Sequence, residues 1–284
     1  MKKIVVQSEF FNIKDTLECG QIFRFVPFKR GFLVFSLDKC AYSYADGDST
    51  VIETNDGDQE YFKRFFDLER DYSAIYQSAL TRKEKIIVES ANVGKGIRIL
   101  NQDPTETLFS FIISQNNNIP RIKKTIESLC RALGEKKSFD GYEYFAFPSA
   151  KSLAGKEISF FREAGLGYRA EYIKSLAEEL ALGFNLTILP DTSYQEVKQA
   201  LMTIKGVGPK VVDCVALFGY HKTKAFPVDT WIEKVYIEDF NGKLKDRNKI
   251  SEFFINEFGE NSGYYQQYLF FYKRDKQKII KKLG

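Results

Sequence analysis

The sequence predicts an α+β protein: a small antiparallel β domain over residues 1–98, followed by an all-helical domain over residues 99–284. Three observations carry this prediction. Residues 1–55 are rich in β-branched and aromatic residues, arranged in short runs between turn signals. Near residues 95–100 the apolar spacing changes from the period of a strand to that of a helix. Hydrophobic residues make up 44% of the 284 and charged residues 28%, a composition that supports a packed core.

Four strands are expected, at 21–26, 32–37, 40–44 and 49–54. The links PFKRG, LDK and ADGD are short enough only for antiparallel neighbours. Residues 58–90 carry aromatic and aliphatic side chains at helical spacing, which predicts a helix packed on the sheet. From about residue 95 onward the pattern is helical throughout. Helices are expected to open at Asp103-Pro104-Thr105 and Ile119-Pro120-Arg121. Others are expected at 151–155, 169–183, 193–204, 209–218, 230–238, 247–258 and 264–281. Cap or proline signals mark several starts: Asp191 and Thr192, Pro209, and Asp229.

Several classes of chemistry are excluded by counting. No apolar run approaches the roughly 18 residues of a spanning helix. The N-terminus, MKKIVVQSEFF, is broken by Gln7 and Glu9 and does not read as a signal peptide. A cytoplasmic protein without membrane contact is expected. The single histidine, His221, excludes any metal site that needs two imidazoles. Cys19, Cys40, Cys130 and Cys214 are far apart, as reduced intracellular thiols would be, and no metal or other cofactor is expected. The net charge of +4 lies in the tail. Without residues 265–284 the chain has 36 basic and 37 acidic residues. A basic tail suits nucleic acid or anionic lipid, and equally a solvated helix end.

The most informative stretch is LMTIKGVGPKVVDCVALFGY, residues 201–220. An amphipathic helix ends near Ile204, Gly206-Val207-Gly208 makes a tight hairpin, and Pro209 sits where the next helix should begin. Bare backbone N–H groups beside a helix N-terminus form an anion site suited to phosphate. Lys210 falls in the first turn of that helix. The macrodipole and apolar neighbours Val207 and Val211 there both favour a neutral amine, the form a nucleophile requires. The same spacing also permits a surface lysine paired with Asp213, three residues on. Asp229 precedes Thr230-Trp231-Ile232 as a helix cap would. A cap and a catalytic carboxylate are compatible, since backbone donors favour the anion, the form that stabilises a developing positive charge.

The amphipathic helix, the GVG hairpin, the lysine and the aspartate in AFPVDTW together resemble the helix-hairpin-helix base-excision DNA glycosylases. Three further segments narrow the resemblance to the 8-oxoguanine DNA glycosylase family: LECGQIFRF at 17–25, FSFIISQNNNIPRIKKTIESLC at 109–130, and GLGYRA at 165–170. It extends from about residue 10 to 275. It implies a sheet domain like half of a TATA-binding protein, a helical domain, and an active site where they meet. It also implies an enzyme that excises 8-oxoguanine from duplex DNA, preferably opposite cytosine, and then cleaves the strand by β-elimination. The partner is lesion-containing double-stranded DNA, and the protein is expected to be a monomer.

The implied roles fall on particular residues. Lys210 corresponds to the nucleophile and Asp229 to the carboxylate that stabilises the sugar cation. Gly20 corresponds to the residue whose carbonyl accepts from N7–H of 8-oxoguanine, a proton that guanine lacks. Cys214 corresponds to one wall of the base pocket. In the last helix, Gln266 corresponds to the reader of the pairing edge and Phe270 to the stacking wall. Their neighbours Gln267 and Phe271 are alternatives in register. Asn116, Arg121, Tyr168 and Arg169 correspond to residues that fill the hole and hold the orphaned cytosine, while Gly206, Val207 and Gly208 contact the backbone. Thr230 stands where eukaryotic members usually have histidine, at a DNA-phosphate contact.

Overall fold

A computed structural model describes residues 1–184, 186 and 192–283, with the side chains of 276–283 excepted. Five strands, β1 (Lys2–Gln7), β2 (Phe25–Phe28), β3 (Gly31–Ser36), β4 (Lys39–Asp46) and β5 (Ser49–Thr54), form one antiparallel sheet in the order β1-β5-β4-β3-β2. Three strands match expectation. The fourth, expected at 21–26, begins only at Phe25. A short helix, α1 (Ile13–Glu18), and a loop come before it. The edge strand β1 was not expected. Its outer residues are exposed and its identity comes from pairing Lys2–Gln7 with Ser49–Thr54.

Both faces of the central strands are covered, so those strands lack a solvated side. Val34, Ala41 and Ile52 pack against Phe62, Phe65 and Phe66. The alternate residues Leu33, Phe35, Tyr42 and Tyr44 pack against Phe139 and Tyr144. The latter pair belongs to a second hairpin, β6 (Lys136–Phe139) and β7 (Tyr142–Phe145). The region after residue 95 is therefore not entirely helical. The turn between these strands has positive φ at Asp140 (49°) and Gly141 (78°), as a two-residue Asp-Gly hairpin requires.

Three helices replace the one expected at 58–90: α2 (Gln59–Phe65), α3 (Tyr72–Leu80) and α4 (Lys85–Gly94). Then come α5 (Pro104–Ser114), α6 (Ile119–Leu133), α7 (Ala150–Ala154), α8 (Ile158–Glu163) and α9 (Arg169–Ala181). The chain closes with α10 (Tyr194–Met202), α11 (Pro209–Phe218), α12 (Thr230–Asp239), α13 (Arg247–Phe258) and α14 (Ser262–Leu283). Of these, α8 was not expected. Asp191 lies outside the described residues. Ser193 caps α10, in a capping box with Glu196.

Two polar clusters fix the sheet to the helices. Gln21 is fully buried and donates to the carbonyls of Thr16 (2.9 Å) and Arg98 (2.7 Å), while its Oε1 accepts from Leu100 N at 2.8 Å. Arg24 forms a buried ion pair with Glu106 of α5 at 3.2 Å and donates to the carbonyls of Leu37 and Phe145. Satisfying these groups fully matters, because a buried polar atom without a partner costs about 1–3 kcal/mol. At the other end, α14 packs on α4 and α12, so the last helix touches both halves of the chain. Among the described residues no helix is long and apolar enough to cross a membrane.

Candidate active site

The hairpin between α10 and α11 determines where Lys210 stands. Gly206 has φ of +81°, and a Cβ there would lie 2.3 Å from the Tyr172 ring, so both conformation and space demand glycine. Its carbonyl accepts from Gln115 Nε2 at 2.8 Å. Val207 is buried and its N–H donates to Ile204 at 3.1 Å. Gly208 is the N-cap of α11 with open space around it, and Pro209 occupies the first position, as the sequence suggests. Lys210 follows in the first turn, half-buried, with Nζ 5.2 Å from the centre of the Phe111 ring.

Lys210 and Asp229 both line a small cavity of about 60 Å³. Gly20, Cys214, Gln266 and Phe270 also line it. The same two residues line an adjoining groove of about 670 Å³, beside Asn116, Gly208, Thr230 and Arg247. They therefore stand at the threshold between a narrow chamber and a wide channel.

Asp229 caps α12, accepting from Trp231 N at 2.9 Å and Ile232 N at 3.0 Å. Burial pushes its carboxyl above the ordinary range, opposed by these donors and the neighbouring Lys210 cation. The sequence alone suggested a carboxylate held simply ionised by its donors; here burial is the larger influence. Cys214 is buried and its thiol is pushed up to about 11 by that burial, a poorly reactive wall. Asp213 turns to other partners than Lys210. It accepts from Tyr194 Oη at 2.7 Å and faces Ser251 at 3.5 Å and Lys198 at 3.9 Å. Burial raises its pKa from 3.8 to about 6.

On α14 the register separates the alternatives. Gln266 is buried, donates to the Pro227 carbonyl at 3.2 Å, and has an Oε1 with no partner. Phe270 is half-buried against the cavity, whereas Phe271 is in the core. Gln267 also reaches the cavity wall, but its Nε2 donates to the Cys19 carbonyl at 2.8 Å. Gly20 follows at φ of +92°, where a Cβ would come within 3.3 Å of Phe270.

The remaining residues lie on the groove side. Asn116 is exposed at φ of +46°, a conformation asparagine tolerates better than most. Its neighbours are structural: Asn117 donates to the Ile113 carbonyl and Asn118 caps α6. Tyr168 is 52% exposed. Arg121 is exposed and donates to the Gly165 carbonyl at 3.1 Å. Arg169, unlike the other three, is enclosed. Four hydrogen bonds tie its guanidinium to the carbonyls of Gln115, Asn116 and Leu166. With five N–H donors in all, it supports the Asn116 loop and has little left to offer an orphan base.

Phe111, Pro227, Cys19 and Gln267 line the cavity without having been singled out as site residues, apart from Gln267's place as an alternative in register. Phe111 reads as core spacing, and only tertiary packing turns it toward Lys210. Among the described residues, no group of three His, Cys, Asp or Glu side chains could hold a metal ion.

A helix-hairpin-helix that presents a lysine and an aspartate at the mouth of a small cavity defines a base-excision DNA glycosylase. Residues 3–108 match the family model for the 8-oxoguanine DNA glycosylase N-terminal domain, and residues 109–260 that for the HhH-GPD superfamily of base excision DNA repair proteins. The chain is 35% identical to an N-glycosylase/DNA lyase of Saccharomyces cerevisiae, over 84% of this chain and 70% of that protein. It is 38% identical to the N-glycosylase/DNA lyase OGG1 of Arabidopsis thaliana over 72% of this chain, spanning 59% of the plant protein. The 8-oxoguanine glycosylase/lyase of Clostridium acetobutylicum, solved with duplex DNA containing cytosine opposite 8-oxoguanine, superposes with a TM-score of 0.91. There the identity is 36%, covering 97% of this chain and 96% of that one. The chain belongs to the 8-oxoguanine DNA glycosylase family of the HhH-GPD superfamily.

Proposed function

We propose that this protein removes 8-oxoguanine from duplex DNA and then cleaves the strand at the resulting abasic site. The observation that carries this reading is the position of Lys210 and Asp229 on the threshold shared by chamber and groove. A duplex in the groove has to rotate its damaged nucleotide through that threshold, which brings C1′ past both side chains.

The neutral Lys210 amine attacks C1′ and the bond from C1′ to N9 breaks. The base leaves with the bonding electrons and takes up a proton. Asp229, as an anion, stabilises the positive charge that grows on the sugar. The bonded amine gives a proton to the departing base, and its lone pair then expels O4′, which takes a proton from solvent; the C1′–O4′ bond breaks, the ring opens, and a protonated Schiff base joins Lys210 to C1′. Loss of a C2′ proton then expels the 3′ phosphate by β-elimination, and water releases the lysine.

Base selection is assigned to Gly20, Gln266, Phe270 and Cys214. The unpartnered Gln266 Oε1 supports this assignment, because a buried acceptor without a donor awaits one from a ligand. For the orphaned cytosine the exposed Arg121 is the direct reader, next to Asn116 and Tyr168, with Arg169 as their scaffold. Single-turnover assays on duplexes with 8-oxoguanine, hypoxanthine or 3-methyladenine test the proposal. Excision of 8-oxoguanine far ahead of the other two is expected, and preferential release of 3-methyladenine would overturn it.

A further inference from the structure

Glycine at position 20 creates a problem of precision. A carbonyl that distinguishes lesion from guanine by one proton must point in one direction, yet glycine is the residue least able to hold one. The chain around Gly20 is gripped on both sides. After it, Gln21 is fully buried, its side chain bonded to Thr16, Arg98 and Leu100, and its carbonyl accepts from Gln102 Nε2 at 2.8 Å. Before it, the Cys19 carbonyl accepts from Gln267 Nε2 at 2.8 Å. That bond joins residues 248 apart in sequence, the last helix and the first loop. Gln267 is 2% exposed, and its backbone neighbour Gln266 faces the same chamber.

We infer that Gln267 is a positioning residue for damaged-base selection: it holds the Cys19–Gly20 peptide plane while the bonds of Gln21 hold the chain on the other side, and between these two anchors the direction of the Gly20 carbonyl is fixed. The inference rests on the reading of Gly20 given above. The same bond couples α14, which carries Gln266 and Phe270, to the loop that carries Gly20, so both walls of the chamber move together. The Cys19 thiol is itself held, donating to the Thr16 carbonyl at 3.1 Å and accepting from Gln21 Nε2 at 3.2 Å.

Two activities separate positioning from folding. Excising 8-oxoguanine needs the base to be read, whereas cleaving a preformed abasic site needs only Lys210 and the groove. Gln267→Met keeps the volume and removes the donor. Single-turnover excision of 8-oxoguanine should fall on the order of tenfold to a hundredfold, the scale of a small misplacement. Cleavage of an abasic duplex should stay within about twofold of wild type by the same reasoning. Equal losses on both substrates, or a loss on neither, would overturn the inference. Gln267→Glu provides a second measurement should the methionine variant fold poorly. Its protonated acid can donate to the Cys19 carbonyl and its anion cannot, so excision relative to wild type should rise as pH falls, while abasic cleavage relative to wild type stays level. A flat excision ratio would overturn the inference. Gly20→Ala identifies the failing layer. If it impairs excision while both Gln267 variants do not, only the positioning role is wrong; if none of them does, the reading of Gly20 is wrong.

Discussion

Lys210 stands in the first turn of α11 and Asp229 is the N-cap of α12, and both line the same small chamber. Each N-terminus contributes partial positive charge, which suits the aspartate. In the proposed reaction Asp229 has two separable jobs, as cap and as anion.

Asp229→Asn separates them. Asparagine caps as well as aspartate does, so thermal stability should change by no more than about 0.5 kcal/mol. Loss of the charge should lower single-turnover excision by about 10²–10³-fold, the scale of a removed electrostatic stabiliser. Thermal unfolding and excision, measured on the same preparation, check both. A variant that unfolds early and excises normally would make Asp229 a cap alone.

Arg121 carries the prediction on the opposite base. Cytosine presents acceptors at N3 and O2, and arginine offers only donors. Thymine and guanine have a proton on the facing ring nitrogen, and adenine lacks O2. Wild type should therefore excise 8-oxoguanine best opposite cytosine. Arg121→Ala should lose about 1–3 kcal/mol of that preference, read as the ratio of excision rates opposite cytosine and opposite adenine. An equal loss opposite all four bases would mean that Arg121 holds a phosphate.

Asp213 gives a pH dependence of stability. Its pKa is 3.8 as a reference and about 6 in the fold, because burial disfavours the anion. A carboxyl whose folded pKa is raised binds its proton more tightly in the native state. The fold therefore pays nothing below about pH 4, loses stability between about pH 4 and 6, and carries the full penalty of about 3 kcal/mol above that. Asp213→Asn keeps an acceptor for Tyr194 and removes the charge. It should raise the unfolding midpoint at pH 8 and leave it nearly unchanged at pH 4. A gain of equal size at both values would place its origin elsewhere.

The helices after residue 100 were legible because their ends carry local chemistry: Asp103-Pro104, the Asn118 cap with Pro120, Pro209 and Asp229. The hairpin at 136–145 was missed although Asp140-Gly141 signals it, because the surrounding helical pattern dominated the reading. Strand β1 has no such signal, since its identity comes from pairing with β5. Lys210 and Asp229 stand out as residue types at a distinctive spacing. The donors of Arg169, by contrast, are used up by three carbonyls, two of them more than 50 residues away, and the Gln267 bond spans nearly the whole chain. Such partners are set by tertiary packing, and no local pattern records them.

In the proposed reaction the Lys210 amine becomes covalently joined to C1′. Borohydride reduces a Schiff base to a stable amine, so it converts that intermediate into a permanent protein–DNA adduct. Wild type mixed with an 8-oxoguanine duplex and borohydride should yield the adduct. Lys210→Gln should yield none while still retaining the duplex in a binding assay. Adduct formation by Lys210→Gln at the wild-type rate would contradict the account.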